Sequence, residues 1–145
     1  MATVAVAGDA EISRNLNGQR LGRKGRDTRA RILAVAAEIV GEGAEPVTLS
    51  AVARRASLGM TSLYLYFSDL TELLLALLEP VRAEAEADYV HLLRNRWADD
   101  DLAESCRKFV AAHHAYWARH SRLLHLRNSM ADAHDLRMME HRIAS

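Results

Sequence analysis

Between Thr48 and Phe67 the chain carries two apolar stripes of helical period, separated by the break Ser57-Leu58-Gly59. Leu49, Val52, Ala53 and Ala56 line the first stripe, and Leu63, Tyr64 and Phe67 the second. Helices of about two turns do not survive alone in water. Such a pair forms only when packed on neighbours, and two short helices joined by a three-residue turn with a small residue in it make a helix-turn-helix. An all-α protein is therefore expected. Composition agrees, because two prolines and seven glycines in 145 residues, half of them apolar, leave little turn chemistry for a sandwich or a barrel.

The neighbours are legible on either side. Ile32, Leu33, Ala36, Ile39 and Val40 recur with helical spacing, which predicts a first helix capped by Asp27 or Thr28 and stopped by Gly41 and Gly43. Thr48 is the predicted N-cap of the second helix. Ser68 or Asp69 caps a long fourth helix running to Ala98, apolar nearly all round at Leu73, Leu74, Leu75, Leu77 and Leu78, with a kink or break at Pro80. Asp99, Asp100 and Asp101 open a fifth helix with Leu102, Cys106, Phe109, Val110, His113 and Trp117 facing inward. His120-Ser121 interrupts it, a sixth helix covers Arg122 to Met130, and a seventh begins between Asp132 and Asp135. The expected organisation is a disordered basic arm over 1–25, a helix-turn-helix domain over 26–86 with its recognition helix at about 60–67, and a partial helical domain over 87–145.

Zero net charge conceals a gradient. Residues 1–68 hold nine Lys and Arg against six acids, residues 69–145 ten against thirteen, and the stretch 14–31 has seven bases with Asp27 as its one acid. A basic end joined to a less basic body points to nucleic acid. The single cysteine excludes a disulfide framework and a Cys-rich zinc site. No run of about 18 apolar residues exists to span a membrane, and the N-terminal residues lack the basic and apolar regions of a secretory signal. A cytoplasmic, nucleoid-associated protein is expected. Glycine-rich phosphate loops, nucleophile elbows and paired acids are missing, so no enzymatic activity, cofactor or metal is predicted.

The segment from Val47 to Leu78, with Thr48, Ala53, Ala56, the run Leu63-Tyr64-x-Tyr66-Phe67 and Leu73-Leu74, resembles the DNA-binding domain of the TetR family of bacterial transcriptional regulators. The resemblance extends from about Arg26 to Glu86, and the stretch from Tyr116 to Asp132 resembles the fifth and sixth helices of the family's ligand-binding domain. It implies a homodimer that binds double-stranded DNA at a palindromic operator, represses nearby genes and responds to a small-molecule effector. The family usually has Gly where Ser57 stands, Ser near Gly59, Lys at the place of Leu70 and an acid at Thr71. Family members also continue for two further helices that form the dimer interface, and this chain is expected to end before them.

A B-form major groove is about 12 Å wide and admits one helix. The third helix would present Met60, Thr61, Ser62 and Leu65 to it, with Tyr64 and Tyr66 as further contacts. Thr48 is placed for a phosphate. Arg20, Arg23, Lys24 and Arg26 would follow the backbone or enter the minor groove, and Arg54 and Arg55 offer substitutes for the missing lysine. Phe109, His113, Tyr116 and Trp117 have the composition of a small-molecule site. Cys106, His113 and His120 recur every seven residues, about 10 Å apart along a helix, too far apart to share a metal ion unaided. The alternative reading is a helical interaction module, or a ligand or metal sensor, without specific DNA binding.

Overall fold

Ile32, Ala36 and Ile39 recur at one-turn intervals and are wholly buried. They form the inner face of α1 (Arg23–Glu42) in a computed structural model that describes residues 14–144. After it come α2 (Leu49–Arg55), α3 (Met60–Tyr64), α4 (Leu70–Asp88), α5 (Leu102–Asp132) and α6 (Leu136–Ala144), with 3-10 turns at Val90–Leu93 and Asp99–Asp101. The protein is all-α, with no strand among the described residues. Its residues fall into two compact units, the first reaching Ala76 and the second beginning at Leu77, inside α4; the ranges expected from the sequence are 26–86 and 87–145.

In the first unit, α1 starts one turn earlier than Asp27. Gly22 occupies the N-cap without a side-chain bond, and Leu21, buried, does the anchoring instead. Leu21 lies over Gly25 so closely that a Cβ there would sit 2.8 Å from its Cδ2, and Arg26 Nη1 donates to the Leu21 carbonyl at 3.0 Å. The helix ends at Gly43, whose φ of 61° lets its N–H return to the Ile39 carbonyl.

The disordered arm expected over 1–25 needs correction where it is described; residues 1–13 lie outside the described residues. Asn15 Oδ1 accepts from the N–H groups of Asn17 and Gln19 at 3.1 and 2.9 Å, and Arg14 Nη1 donates to the Gly18 carbonyl at 2.9 Å. Gly18 takes φ 75°, which a glycine adopts without steric cost. Residues 14–20 thus form a closed turn, and 23–25 belong to α1. Asn15 supplies the local partners that small and basic residues cannot.

Thr48 caps α2 as expected, its Oγ1 accepting from the Ala51 N–H at 3.1 Å. For α4 the cap is Asp69, whose Oδ1 accepts from the Glu72 N–H at 2.8 Å, while Glu72 Oε2 accepts from the Ser68 N–H at 2.7 Å. This reciprocal arrangement is a capping box displaced by one residue.

In the second unit, α4 remains helical through Pro80. Proline removes one donor from the ladder, but Val81 and Ala85 beyond it are buried and hold the helix in place. The helix ends at Asp88 rather than Ala98, and Trp97 Nε1 closes the following loop by donating to the Leu92 carbonyl at 2.7 Å. No break occurs at His120-Ser121: α5 runs for 31 residues, absorbing the predicted sixth helix. The residues read as a break are tie points, His120 reaching Glu84 and Arg119 reaching Asp88 on α4.

The inward face of α5 also differs from expectation. Tyr116, Leu124, Arg127 and Ala131 are buried, whereas Leu102, Cys106 and Val110 are exposed. The helix finishes in a Schellman motif, with the Asp135 N–H on the Met130 carbonyl and the His134 N–H on the Ala131 carbonyl, both 3.0 Å. His134 sits at φ 68° to allow it. Asp135 Oδ1 then caps α6 by accepting from the Met138 N–H at 3.1 Å.

Candidate nucleic-acid interface

α3 has five residues, and the chain stays wound to Phe67 through bonds from the Tyr66 and Phe67 N–H groups to the Leu63 carbonyl. The chain is therefore wound over 60–67, the range expected of a recognition helix, but only its first part is regular helix. Leu63 is 0% exposed and Phe67 1%. With a helical advance of about 100° per residue, these two fix the inner side. Thr61, Ser62 and Leu65 then fall together on the opposite side, and all three are exposed. Tyr64 is 48% exposed, which places it outside the core. Met60 and Tyr66 flank the inner side and are half-buried, so Met60 is less outward than the sequence alone implies.

The turn before α3 is held in an uncommon conformation. Ser57 takes φ 55°, the left-handed region that a residue with a Cβ rarely enters. The Leu58 N–H reaches back to the Ala53 carbonyl at 2.9 Å across it. Gly59 precedes α3 with no side-chain cap.

The cations near this element divide by their partners. Arg55 lays Nη1 and Nη2 on Glu42 Oε2 and Oε1 at 2.7 and 2.8 Å, with Glu38 and Glu45 at 3.8 and 3.7 Å. The hydrogen bonds to Arg55 pull the Glu42 carboxyl below its ordinary range, and Glu42 raises the Arg55 guanidinium in turn. Arg54 pairs with Glu45 at 2.8 Å. Both arginines offered as substitutes for the missing lysine are thus engaged by acids within the fold. Arg29 stacks its guanidinium 5.1 Å from the centre of the Phe67 ring. Arg20, Arg23 and Lys24 are exposed and enter no ion pair among the described residues. Arg26 is exposed with one nitrogen on Leu21. Thr48 is exposed, its hydroxyl shared with Ser50 at 3.1 Å.

Sequence reasoning missed the Leu16–Leu65 link: the Leu16 N–H donates to the Leu65 carbonyl at 3.1 Å, seating the turn 14–20 against the end of α3. Only the pairing of Asn15 with Gly18 signalled a turn there at all. The Glu38–Glu42 spacing on one side of α1 was the available sign that Arg55 has a partner.

The residues proposed for a ligand lie in the second unit. Phe109 and His113 stack at 6.1 Å, and Tyr89 meets Phe109, His113 and Tyr116 edge-on at 5.8, 5.1 and 5.3 Å. Trp117 adjoins His113 at 6.2 Å. Four aromatic side chains predicted as a group are thus brought together, and Tyr89, which joins three of them, is an addition from the structure. A cleft of about 330 Å³ opens nearby, lined by His91, Leu92, Asn95, Trp97, Ser105 and Lys108. Cys106, His113 and His120 do not converge, and among the described residues no three His, Cys, Asp or Glu side chains cluster in a way that could hold a metal. No helix among the described residues is long and apolar enough to cross a membrane.

Neither the curated proteins nor the solved structures yield a match to the chain. Residues 32–77, from the inner face of α1 to the first turns of α4, match the family model described as bacterial regulatory proteins, tetR family. Those residues contain the buried Leu63 and Phe67, the capped α2 and the outward face of α3. That match identifies the first unit's segment as a DNA-binding helix-turn-helix of the kind found in the tetR family of bacterial regulatory proteins.

Proposed function

We propose that the protein is a ligand-responsive repressor, a homodimer that binds a palindromic operator with α3 in the major groove of each half-site. One observation carries this reading: Leu63 and Phe67 are wholly buried while Thr61, Ser62, Tyr64 and Leu65 stand exposed on the other side of the same short element. Burial on one side sets the orientation of the other without any contact from the DNA. The Thr61 and Ser62 hydroxyls reach phosphates or base edges, and Leu65 and Met60 meet thymine methyl groups. Tyr64 and Tyr66 widen the contact, and Thr48 takes a phosphate.

Arg20, Arg23, Lys24 and Arg26 supply the charge that follows the backbone or enters the minor groove. The outward side of α3 holds no Arg, Lys, Asn or Gln, so bidentate base contacts are few and DNA shape carries much of the sequence preference. Half-sites of a palindrome lie about 34 Å apart, and a ligand held near Phe109, His113, Tyr116 and Trp117 regulates by favouring one separation of the paired recognition helices over another. Such a regulator works in the cytoplasm, at the nucleoid.

The test is a footprint on DNA upstream of the protein's own gene, with light scattering on the same sample. A protected palindrome and a dimer mass support the reading, and T61E/S62E removes the protection while leaving the helical content intact. Binding that is blind to sequence, or protection that survives both acidic substitutions, overturns it and favours an interaction module.

A further inference from the structure

Arg127 lies in the buried row of α5, between Leu124 and Ala131, and is 7% exposed. Its Nε donates to Asn128 Oδ1 at 3.2 Å. No carboxylate of the described residues pairs with it; on the neighbouring turns Glu79 is held by Arg82, Glu84 by His120, Asp88 by Arg119 and Asp132 by Arg142. Its charged and polar surroundings are Arg142 and His141 from α6 and the Tyr89 and Tyr116 hydroxyls. Burial depresses the guanidinium, and the same burial with Arg127 and Arg82 nearby depresses His141, which Glu79 opposes. Arg142 is balanced by Asp132 and the depressed His141 is uncharged near neutrality, so the one charge without a carboxylate here is the Arg127 guanidinium, and buried charges are ordinarily paired.

A guanidinium presents a planar fork that matches the two oxygens of a carboxylate. Here the fork of Nη1 and Nη2 has no hydrogen-bond partner among the described residues. Tyr116, three turns earlier on the same buried row, and Tyr89 are within its electrostatic reach, and Tyr89 continues edge-on into Phe109, His113 and Tyr116. The neighbourhood therefore offers one strong anion anchor followed by ring faces and edges, the pairing that suits a flat apolar body bearing a single acid group.

We propose that Arg127 anchors the carboxylate of a small aromatic acid, whose ring lies toward Tyr116 and Tyr89. The site deepens the reading of the second unit as the ligand-responsive half and rests on it only for its biological use. The acid would enter as its anion and be held by charge-assisted hydrogen bonds, with no bond made or broken.

The experiment uses the full chain without DNA, with benzoate as the probe and benzamide as its uncharged counterpart. Both tryptophans, Trp97 and Trp117, lie in the second unit, so their fluorescence reports on it directly. Benzoate is expected to change the emission saturably and raise the melting temperature, with benzamide weaker by about tenfold or more for want of a charged hydrogen bond. Arg127→Met, checked for helical content, abolishes the difference, and Arg127→Lys restores part of it because the charge returns without the fork.

Equal affinity for benzoate and benzamide overturns the proposal, and that comparison needs no variant. Unchanged benzoate binding in a folded Arg127→Met overturns it too. So does a fall from dimer to monomer mass on Arg127→Met, which would assign the guanidinium to a carboxylate of a second copy. Benzoate bound through Arg127 with no effect on the operator footprint supports the site and counts only against the ligand-responsive repressor.

Discussion

The Leu16 N–H donates to the Leu65 carbonyl at 3.1 Å, so the turn over residues 14–20 is fastened to the end of α3. What closes that turn is the Asn15 side chain, through three hydrogen bonds to Asn17 and Gln19. Each is worth about 1 kcal/mol net, more than a bare turn of this length has to spare. Asn15→Ala is expected to open it. Trypsin cleavage at Arg14 and Arg20 should accelerate, while the melting temperature of the helices changes by less than about 2 °C, as for any surface substitution. Cleavage at the wild-type rate would show that Leu21 alone holds the segment.

Ser57 stores strain where the family usually places glycine. Its φ of 55° costs a residue with a Cβ about 1 kcal/mol, part of which glycine returns through its greater freedom in the unfolded chain. Ser57 is exposed, so no packing is lost with its hydroxymethyl group. Ser57→Gly should therefore stabilise the protein by about 0.5 kcal/mol, and Ser57→Val should destabilise it by more than that. Chemical denaturation of the three proteins gives the order directly. A Val variant as stable as wild type would mean that the turn relaxes out of the left-handed region.

The helix-turn-helix was readable because apolar spacing alone specifies it: Leu63 and Phe67 lie one turn apart, and both are buried. Capping residues were readable for the same local reason, as Thr48 and Asp69 bond to N–H groups three residues on. What escaped depends on contacts that no period encodes. The start of α1 follows from Leu21 lying on Gly25, a contact of one side chain with one missing Cβ. The unbroken α5 escaped because His and Ser cost a helix only a few tenths of a kcal/mol each, less than the ties from Arg119 and His120 to α4 return. Its inward face escaped because Arg127, charged, occupies a core position, and hydropathy patterns assign such a residue to solvent. The aromatic group was legible as composition, yet Tyr89, which holds it together, comes from beyond the end of α4.

Arg55 links α1 to the end of α2 through Glu42, and that pairing makes stability depend on pH. The folded Glu42 carboxyl titrates below its ordinary range, chiefly because of the hydrogen bonds from Arg55. A depressed carboxyl pKa means that the unfolded chain takes up the proton first, so the contribution is complete above the ordinary carboxylate range and lost as pH falls through the lowered folded value. Wild type should melt higher than Glu42→Gln by a constant margin above about pH 5, where an unfolded glutamate of pKa about 4.3 is ionised. The margin should narrow steadily on further acidification. Because both groups are solvent-accessible, salt should reduce the margin as well. A margin that does not change with pH would mean that Glu42 acts through packing and not through its charge.

The two sets of cations in the first unit should behave differently on DNA. Arg20, Arg23 and Lys24 enter no ion pair among the described residues and are exposed, whereas Arg54 is paired with Glu45 at 2.8 Å and Arg55 with Glu42. A base that neutralises a phosphate releases counterions, and log affinity then falls with log salt by about one slope unit per contact. Substituting Arg20, Arg23 and Lys24 by Ala together should flatten the slope by about two to three units and weaken operator and nonspecific DNA alike. Arg54→Ala should leave the slope nearly unchanged, because its charge is already balanced within the fold. Titrations by fluorescence anisotropy at several salt concentrations separate the cases. If Arg54→Ala flattens the slope as much as the triple substitution does, the arginine leaves Glu45 on binding, and the basic turn is not the main electrostatic contact.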